Sequence, residues 1–468
     1  MAASARNWAG SNHVPSMIAA SSPGAPILII GAGPAGATAA RVLAQAGVPV
    51  RLLDRAAFPR NKPCGGGISM QMLRRFPYLE TALPRIATHA VARLHLEGPG
   101  GESTVVESDG PAALLIRRVE FDALLVSLAV EAGAELVSGV DIVQARQDAD
   151  RIALIARDGR RFEAPVAIAA DGVHSIVARR LGLNRGWPAS SIALDMMEET
   201  PRAELRDVDP STLWVSYGYE PRHIEERGVR NAESSDSPIR TPQSSIRNAK
   251  TPQGYAYIFP KRDHVNVGVG YVLSHYRKEI GCAPYDLQRG LVERLRDRAI
   301  VAGESNRSNF TPFLIPIGGP LREPGRGRVL LAGDAGGFVH GVTAEGIYYA
   351  MVTGDLAARA VMERAPVATL AHRYRRACDY EIGAELHDSV LLQHYLFADR
   401  RRIGRMIAGA HREKTATRWI LDYVMGRQTY RAVRRRVLAR SPLLLGRMVW
   451  EWFALNKTLR SAGAPTTS

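Results

Sequence analysis

The chain has 468 residues, of which 46% are hydrophobic and 23% are charged, so it is long enough for two domains and a tail with an ample core. Its three cysteines are odd in number, far apart and without metal-ligand spacing, which argues against a disulfide framework and leaves no candidate metal site. No apolar run reaches the length of a bilayer span, so a chain with a net charge of +15 can contact a membrane only at its surface.

Residues 1–24 predict a disordered leader. They are small and polar, and they have neither the cationic start nor the apolar centre of a signal peptide. We therefore expect a cytoplasmic protein.

The segment from Ile27 to Asp54 has the pattern of a dinucleotide-binding unit. An apolar strand leads into the turn GAGPAG at 31–36, an alanine-rich helix follows, and a second apolar strand ends at Asp54. The glycines permit a tight turn and the close approach of a pyrophosphate, which the free N–H groups and dipole of a helix N-terminus stabilise. Asp54 is placed to accept hydrogen bonds from the ribose hydroxyls of an adenosine. The motif alone leaves both NAD and FAD open.

A loop at residues 59–69 follows this unit and contains Cys64 and three consecutive glycines. Glycines adopt positive φ and let the backbone approach a ligand where any side chain would collide. We expect this loop to face the ligand that the dinucleotide unit binds.

Two later segments each present one carboxylate at a turn of small residues. Asp171 and Gly172 follow the apolar residues 166–168, while Gly333 and Asp334 follow the apolar residues 329–331 and precede a helix at 347–360. A turn of small residues at the end of a strand presents a carboxylate and free backbone amides, which can bind a polyol and a phosphate.

Together these segments resemble the para-hydroxybenzoate hydroxylase class of flavoproteins, and the Cys-Gly-Gly-Gly stretch resembles the geranylgeranyl reductase family within it. The resemblance covers most of residues 24–360. It implies an α/β fold, in which a Rossmann-like FAD-binding domain carries an inserted antiparallel β-sheet substrate domain and is followed by a helical C-terminal region. The implied cofactor is FAD, reduced by NAD(P)H or another donor. The implied cofactor-binding residues are Gly31, Gly33, Ala35, Gly36, Asp54, Arg55, Cys64, Gly65, Gly66, Gly67, Arg118, Asp171, Gly172, Gly333, Asp334, Gly346 and Ile347.

The resemblance also implies a role for several of these residues. Asp54 would hold the ADP half of FAD, Asp171 would lie near the pyrophosphate, Asp334 would bind the ribityl chain and Arg118 would contact the cofactor. The helix after Gly346 would point its N-terminus at the flavin, where it favours the negative charge of the reduced ring. The family usually has Pro, Leu, Thr and Gly in the loop where this chain has residues 341–344, Gly-Val-Thr-Ala.

On this basis the chain divides into discontinuous domains. We expect a FAD-binding domain at 25–75, 110–185 and 305–365, a substrate domain at 76–109 and 186–304, and a basic helical region at 366–468. Within the substrate domain, the polar and roughly repetitive residues 220–253 predict a disordered insertion.

Strands of the substrate domain carry a second family motif. The residues Tyr255, Tyr257, Phe259 and Pro260 resemble an aromatic-x-Trp-x-Phe-Pro motif, with Tyr257 at the tryptophan position. The functional interpretation is that they form the wall of a prenyl-binding cavity, and the alternative is that they are ordinary core aromatics on one face of a sheet.

The C-terminal region is strongly basic and carries interleaved aromatic residues. Between 400 and 460, Lys and Arg far outnumber Asp and Glu, and the same stretch contains Trp419, Trp450, Trp452 and Phe453. This pattern suits peripheral contact with an anionic membrane surface at the cytoplasmic face. The alternative is a solvated helical lid. Arginine clustering also suggests nucleic-acid binding, but no other feature of the sequence supports it.

The resemblance implies reduction of isolated double bonds in a geranylgeranyl or related isoprenoid chain, with hydride from reduced flavin and a proton from an acid in a dry pocket. Cys64 is the nearest candidate acid, or else a small residue packed beneath the flavin; His340, Thr343 and Glu345 are weaker candidates. One alternative function is a flavin monooxygenase or halogenase acting on a hydrophobic substrate. The other is a non-catalytic flavin- or lipid-binding protein at the membrane surface. The identity of the isoprenoid, the electron donor and the oligomeric state stay open.

Overall fold

The computed structural model describes residues 25–221 and 253–440. The predicted leader, nearly all of the predicted insertion and the aromatic residues after 440 lie outside the described residues. The strands are β1 (Ile27–Ile30), β2 (Val50–Asp54), β3 (Gly67–Ser69), β4 (Thr88–Val91), β5 (Arg93–Glu97), β6 (Ser103–Glu107), β7 (Ala113–Ile116), β8 (Glu135–Ser138), β9 (Ile142–Gln147), β10 (Ile152–Ala156), β11 (Arg161–Ala164), β12 (Ala167–Ala169), β13 (Ala193–Pro201), β14 (Thr212–Tyr217), β15 (Gly254–Pro260), β16 (His264–Val272), β17 (Phe310–Ile315), β18 (Gly325–Arg326) and β19 (Val329–Leu331). The helices are α1 (Pro34–Gln45), α2 (Gln71–Arg75), α3 (Tyr78–Ala82), α4 (Arg118–Glu131), α5 (Ile176–Arg180), α6 (Leu273–His275), α7 (Pro284–Asp297), α8 (Ile347–Met362), α9 (Val367–Cys378), α10 (Ala384–Leu396), α11 (Arg400–Arg412), α12 (Lys414–Val424) and α13 (Tyr430–Arg440).

The first layer is a six-stranded sheet with the order β18-β19-β12-β1-β2-β8. Its strands pair in parallel except for the short β18–β19 hairpin. Strands β1, β12 and β19 are buried throughout, as expected for parallel strands covered on both faces. Because parallel strands end at one edge, the turns at Gly31, Asp171 and Gly333 meet there, where open α/β sheets bind their ligands.

Helices α1 and α8 pack against each other at this sheet, and glycines allow their close approach. A Cβ on Gly354 would lie 2.1 Å from the Ala35 carbonyl oxygen, and one on Gly36 would lie 1.8 Å from the Gly31 carbonyl oxygen. The start of α1 therefore packs against the middle of α8 beside the crevice.

The second layer is a seven-stranded sheet with the order β17-β13-β16-β15-β14-β5-β6. Neighbouring strands are antiparallel except β14 and β5, which are parallel, so the inserted sheet is mixed at that one pair. One face packs on α7 through a core that contains Val267, Tyr271 and Leu291. The other face carries the aromatic residues of β15 and meets the glycine loop at 64–67.

Helices α9 to α13 complete the described chain. Helices α12 and α13 lie against α10, and Gln71 in α2 donates a hydrogen bond to the Tyr423 hydroxyl of α12 at 2.9 Å. In the part of the chain that the structure describes, no helix is both long enough and apolar enough to cross a membrane.

Candidate active site

One cavity of about 970 Å³ connects the crevice of the parallel sheet with the inserted sheet and the C-terminal helices. At one end lie the turn at Gly31 and the carboxylate of Asp54, and in the middle lie Cys64 and Asp334. Beyond them, the far end is lined by residues of α10, α12 and α13. A single ligand space therefore runs from a dinucleotide-type turn to the C-terminal helices.

The turn after β1 is held in a conformation that only glycine suits. Gly31 has φ of 95°, and a Cβ there would lie 2.3 Å from the Ala170 carbonyl oxygen. Asp54 accepts hydrogen bonds from the backbone N–H of Ala32 at 2.7 Å and of Ala56 at 2.8 Å. The carboxylate predicted to hold a ribose thus also fixes the glycine turn, with further lone pairs available to a ligand.

Asp171 presents an unpaired oxygen to the cavity. Its Oδ2 accepts hydrogen bonds from the N–H groups of Ile176 at 2.8 Å and Val177 at 3.3 Å, at the start of α5. Its buried Oδ1 accepts none from any described residue. Burial raises the pKa of this carboxyl, although the Ser175 hydroxyl and those two N–H groups act to lower it. Buried polar atoms rarely lack partners, so this oxygen fits a hydroxyl or amide of a bound ligand.

The start of α8 and Asp334 meet in the middle of the cavity. A Cβ on Gly346 would lie 3.3 Å from Asp334 Oδ1, and Gly346 offers no side chain to cap the helix. The first N–H groups of α8 therefore have no helical partner and can bind a ligand atom with negative charge. Burial raises the pKa of Asp334, whereas the positive charges of Lys62 and Arg118 act to lower it.

Arg118 is fixed by a buried carboxylate on its own helix. Its Nε and Nη2 donate to the two oxygens of Asp122 at 2.7 and 2.8 Å, and Arg60 Nη1 lies 3.1 Å from the same carboxylate. Burial acts to lower the pKa of Arg118, but Asp122 holds it above the usual range. The guanidinium therefore stays charged beside the cavity.

The cysteine and glycine loop is clamped between the two sheets. Gly66 has φ of 75°, and a Cβ there would lie 2.1 Å from the Ile116 carbonyl oxygen. The Cys64 carbonyl accepts hydrogen bonds from Lys261 Nζ at 3.4 Å and Asn266 Nδ2 at 3.3 Å, both on or next to the inserted sheet. A Cβ on Gly65 would lie 2.7 Å from the Phe259 ring. The loop lies directly against the sheet that forms the aromatic wall.

That wall is a row of aromatic rings along β14 and β15. Ring centroids are 5.5 Å apart for Tyr217 and Tyr255, 6.1 Å for Tyr255 and Tyr257, and 4.9 Å for Tyr257 and Phe259. Leu94, Leu96, Leu213, Val215 and Phe313 extend the wall and line the same cavity. A surface of this kind favours contact with apolar groups over contact with water.

The far end of the cavity opens between α10 and the pair α12 and α13. Glu385 of α10 accepts hydrogen bonds from the hydroxyls of Tyr349, at 2.7 Å, and Tyr423. Burial raises the pKa of Glu385, although the two hydrogen bonds act to lower it. Nearer the surface, Leu392 is 40% exposed and Ile420 is 53% exposed, which gives the opening an apolar rim.

Most residues that the sequence singled out come together at this cavity. Of the predicted cofactor and substrate residues, all but Gly36 and Pro260 line it, and so do His340, Thr343 and Glu345. Gly36 lies beneath the glycine turn, and Pro260 is buried at the end of β15. Burial raises the pKa of Glu345 to about 7, and burial lowers that of His340 to about 4.

The predicted site did not include Lys62, Asp195 or the cavity residues contributed by α10 and α12. Asp195 is 6% exposed, lines the cavity and accepts a hydrogen bond from the Tyr257 hydroxyl at 3.1 Å. An acidic residue within the apolar run at 192–197 was the available signal, since a charged residue in a buried strand needs a reason.

Comparisons with known proteins agree with this geometry. A family model for the FAD binding domain matches residues 24–251. A menaquinone reductase of Mycobacterium tuberculosis is 30% identical over 369 residues, which cover 75% of this chain and 81% of the relative. A digeranylgeranylglycerophospholipid reductase of Methanopyrus kandleri is 28% identical over 432 residues, which cover 90% and 97%. A geranylgeranyl bacteriochlorophyll reductase-like protein of Thermoplasma acidophilum shares the fold, with a TM-score of 0.68 at 17% identity over 90% of this chain and 98% of that one.

The fold, the glycine turns and the cavity define a FAD-binding flavoprotein of the oxidoreductase class. Within that class, the chain belongs to the geranylgeranyl reductase family of FAD-dependent oxidoreductases.

Proposed function

We propose that the protein reduces carbon–carbon double bonds in an isoprenoid chain. The observation that carries the proposal is the continuity of the cavity from the dinucleotide turn, past the loop at 64–67, to an aromatic wall and an apolar opening. Cofactor and a long apolar substrate would share one space, which brings the reacting ends together. The names of the relatives, which act on menaquinone or geranylgeranyl groups, support this substrate class.

FAD fits the polar end of the cavity. The turn at Gly31 and the N-terminus of α1 would hold the pyrophosphate, with Asp54 and Asp171 binding hydroxyl or amide groups of the nucleotide half. Asp334 and the start of α8 would bind the flavin half. When bound and reduced by NAD(P)H or another donor, the flavin supplies a hydride equivalent.

The chain's own residues would position the substrate and exclude water from it. Tyr255, Tyr257 and Phe259 form a closely spaced wall, and Phe313 and Val215 extend it. The Tyr255 hydroxyl donates to the Thr343 carbonyl at 2.8 Å, so this wall is also attached to the loop that precedes α8. A dry site of this kind keeps an electron-poor carbon from reacting with water.

The proposal assigns a task to each part of the chain. Residues 25–75, 110–185 and 305–365 would bind the cofactor, residues 76–109 and 186–304 would bind the prenyl chain, and residues 366–440 would form the opening. The exposed arginines of α13 beside the apolar rim favour an anionic membrane at the cytoplasmic face as the source of the substrate.

Mass spectrometry of isoprenoid products tests this function. Purified protein, reduced with NADPH or with dithionite, would be incubated with menaquinone and with geranylgeranyl lipids in separate reactions. A product heavier by two hydrogens supports double-bond reduction, and a reaction without reductant is the control. A product heavier by one oxygen would indicate a monooxygenase instead. A bound flavin that no donor reduces in the presence of any of these lipids would indicate a non-catalytic carrier.

A further inference from the structure

Two glycines of β16 leave room for a side chain to lie over this strand on one face of the inserted sheet. Gly268 and Gly270 pair with Met197 and Asp195 of β13 on one side and with Tyr257 and Tyr255 of β15 on the other. A Cβ on Gly268 would lie 2.4 Å from both Cζ and Oη of Tyr257. Because that Cβ is missing, the Tyr257 ring lies across β16 and its hydroxyl reaches Asp195, two strands away, at 3.1 Å.

Strand β13 carries two carboxyl groups on the face toward the loop at 64–67 and the cavity, and their surroundings differ. Glu199 forms an ion pair with Lys261 and accepts a hydrogen bond from Arg117 Nε at 2.8 Å. Asp195, four residues earlier, has no ammonium or guanidinium group within salt-bridge distance among the residues that the structure describes. Cations neutralise the Glu199 carboxyl group, whereas the side chain that donates a hydrogen bond to Asp195 is a phenol.

The pKa directions follow from these partners. Burial raises the pKa of Asp195 to about 7, although the Tyr257 hydroxyl and the more distant charge of Lys62 act to lower it. Burial also acts to raise the pKa of Glu199, but Lys261 and Arg117 hold it below its usual range. Burial places the pKa of Tyr257 well above 10, so its hydroxyl keeps its proton. The different surroundings therefore separate the two pKa values. Asp195 suits the role of an acid, whereas Glu199 is a fixed negative charge.

The groups that face Asp195 come from several elements. Tyr255 and Tyr257 approach Asp195 from β15, Phe313 pairs with it from β17, and the charge of Lys62 acts on it from the loop before β3. Apart from Lys62, these groups are aromatic side chains. The carboxyl group is therefore buried, has no cation at salt-bridge distance among the described residues, and lines the same cavity as the aromatic wall.

We propose that Asp195, oriented by the hydroxyl of Tyr257, is the acid that gives the proton to the substrate double bond. This inference rests on the proposed double-bond reduction. The π electrons of the alkene would form a C–H bond to the Asp195 proton as its O–H bond breaks, and the second carbon would take up the hydride equivalent that bound, reduced FAD would supply. The carboxylate left behind regains a proton from water. Tyr257 is the positioning residue, and Cys64 lines the cavity without donating a proton.

The closing experiment compares variants that change only this pair. Asp195→Asn removes the acid with little change of shape, and Tyr257→Phe removes the hydroxyl and keeps the ring. Glu198→Gln is the matched control, because Glu198 is a buried carboxyl group of the same strand that faces Ser305 and Asn306 on the other side of the sheet. Flavin absorbance confirms that each variant binds FAD.

The first readout is a single turnover of the dithionite-reduced proteins with an isoprenoid that the wild type reduces. We expect Asp195→Asn to slow double-bond reduction by roughly 10² to 10⁴-fold, the usual contribution of a general acid, and Glu198→Gln to keep the wild-type rate. Wild-type turnover in Asp195→Asn would overturn the inference while leaving the proposed function intact. A wild type that reduces no isoprenoid would remove the proposed function and this inference together.

The second readout does not depend on turnover. Infrared spectra of flavin-free wild type minus Asp195→Asn should show the C=O band of a neutral carboxyl that disappears as pH rises through about 7. In Tyr257→Phe the midpoint should move upward, because a hydrogen bond that stabilises the carboxylate is lost. The pH profile of double-bond reduction should move in the same direction. A midpoint below pH 5, or a rate profile that ignores the shift, would contradict the inference.

Discussion

The two ends of the cavity exclude side chains by different means. At the cofactor end, the atom that a Cβ on Gly31 would meet is the Ala170 backbone carbonyl oxygen, at 2.3 Å. At the substrate end, the atoms that a Cβ on Gly65 or Gly268 would meet belong to the rings of Phe259 and Tyr257. Backbone cannot move without disturbing the sheet, whereas a ring can rotate or be replaced. We therefore expect the cofactor end to keep its shape and the substrate end to adapt to ligands of different shapes.

The largest effect is expected from Gly31→Ala. The new Cβ meets backbone, and the residue must keep a φ of 95°, so the turn has to rearrange. Strain of about 1–3 kcal/mol together with the clash should lower FAD affinity by on the order of a hundredfold or more. Flavin absorbance after gel filtration measures the loss.

Gly47→Ala is the control for this substitution, because Gly47 also has positive φ but nothing lies within 4 Å of its Cβ position. It should cost about 1–2 kcal/mol of stability and leave flavin content unchanged. Equal flavin content in Gly31→Ala and Gly47→Ala would contradict a cofactor end made rigid by backbone.

Stability should depend on pH through the substrate end. The folded state keeps the Asp195 proton up to a pKa of about 7, whereas an unfolded chain releases it near 3.8. Between these values the folded state binds more protons, so the free energy of unfolding should fall as pH rises and level off above 7. The share of Asp195 is up to about 4 kcal/mol, at about 1.4 kcal/mol per pKa unit.

Urea unfolding of the flavin-free protein between pH 4 and pH 8 measures this slope. Asp195→Asn should flatten it in part, because Glu345, whose pKa is also raised to about 7, still contributes. An unchanged slope in that variant would mean that Asp195 is ionised in the folded state.

A smaller effect is expected from Gly65→Ala, which places a Cβ 2.7 Å from the Phe259 ring. The ring should turn into the cavity and slow turnover of a long isoprenoid by about tenfold, equivalent to about 1.4 kcal/mol, with flavin content intact. Adding Phe259→Leu should restore much of the rate by making space. If Phe259→Leu does not restore the rate of Gly65→Ala, the surroundings of Gly65 at the substrate end are as rigid as backbone.

The smallest effect is expected at the surface beside the opening. Arg435 is exposed on α13, and Arg435→Gln should weaken binding to vesicles that contain anionic lipid by about fivefold, or about 1 kcal/mol. Arg157→Gln, at an exposed arginine beyond β10, is the control and should bind as the wild type does. Co-sedimentation at low salt measures both, and equal losses would show that only net charge matters.

The cofactor end could be predicted from sequence because its signals are local. Gly31 and Asp54 lie in one strand-turn-helix-strand unit, and the turns at Asp171 and Gly333 each follow an apolar strand, so parallel pairing brings them to one edge. The substrate end depends on register instead. Tyr257 lies over Gly268 and reaches Asp195 because of the register of three strands. The spacing of these residues along the chain does not predict that contact. The roles of Glu385 and Tyr423 likewise required knowledge of how α10 and α12 pack.

The hydrogen bond from Gln71 to Tyr423 joins residues that are 352 positions apart. Every predicted cofactor residue precedes α8 or lies at its first position, whereas the opening is completed only by α10, α12 and α13. During synthesis from the N-terminus, the cofactor-binding turns are therefore made before the helices that line the far end of the cavity. The cofactor-binding turns could therefore assemble while the far end of the cavity is still incomplete.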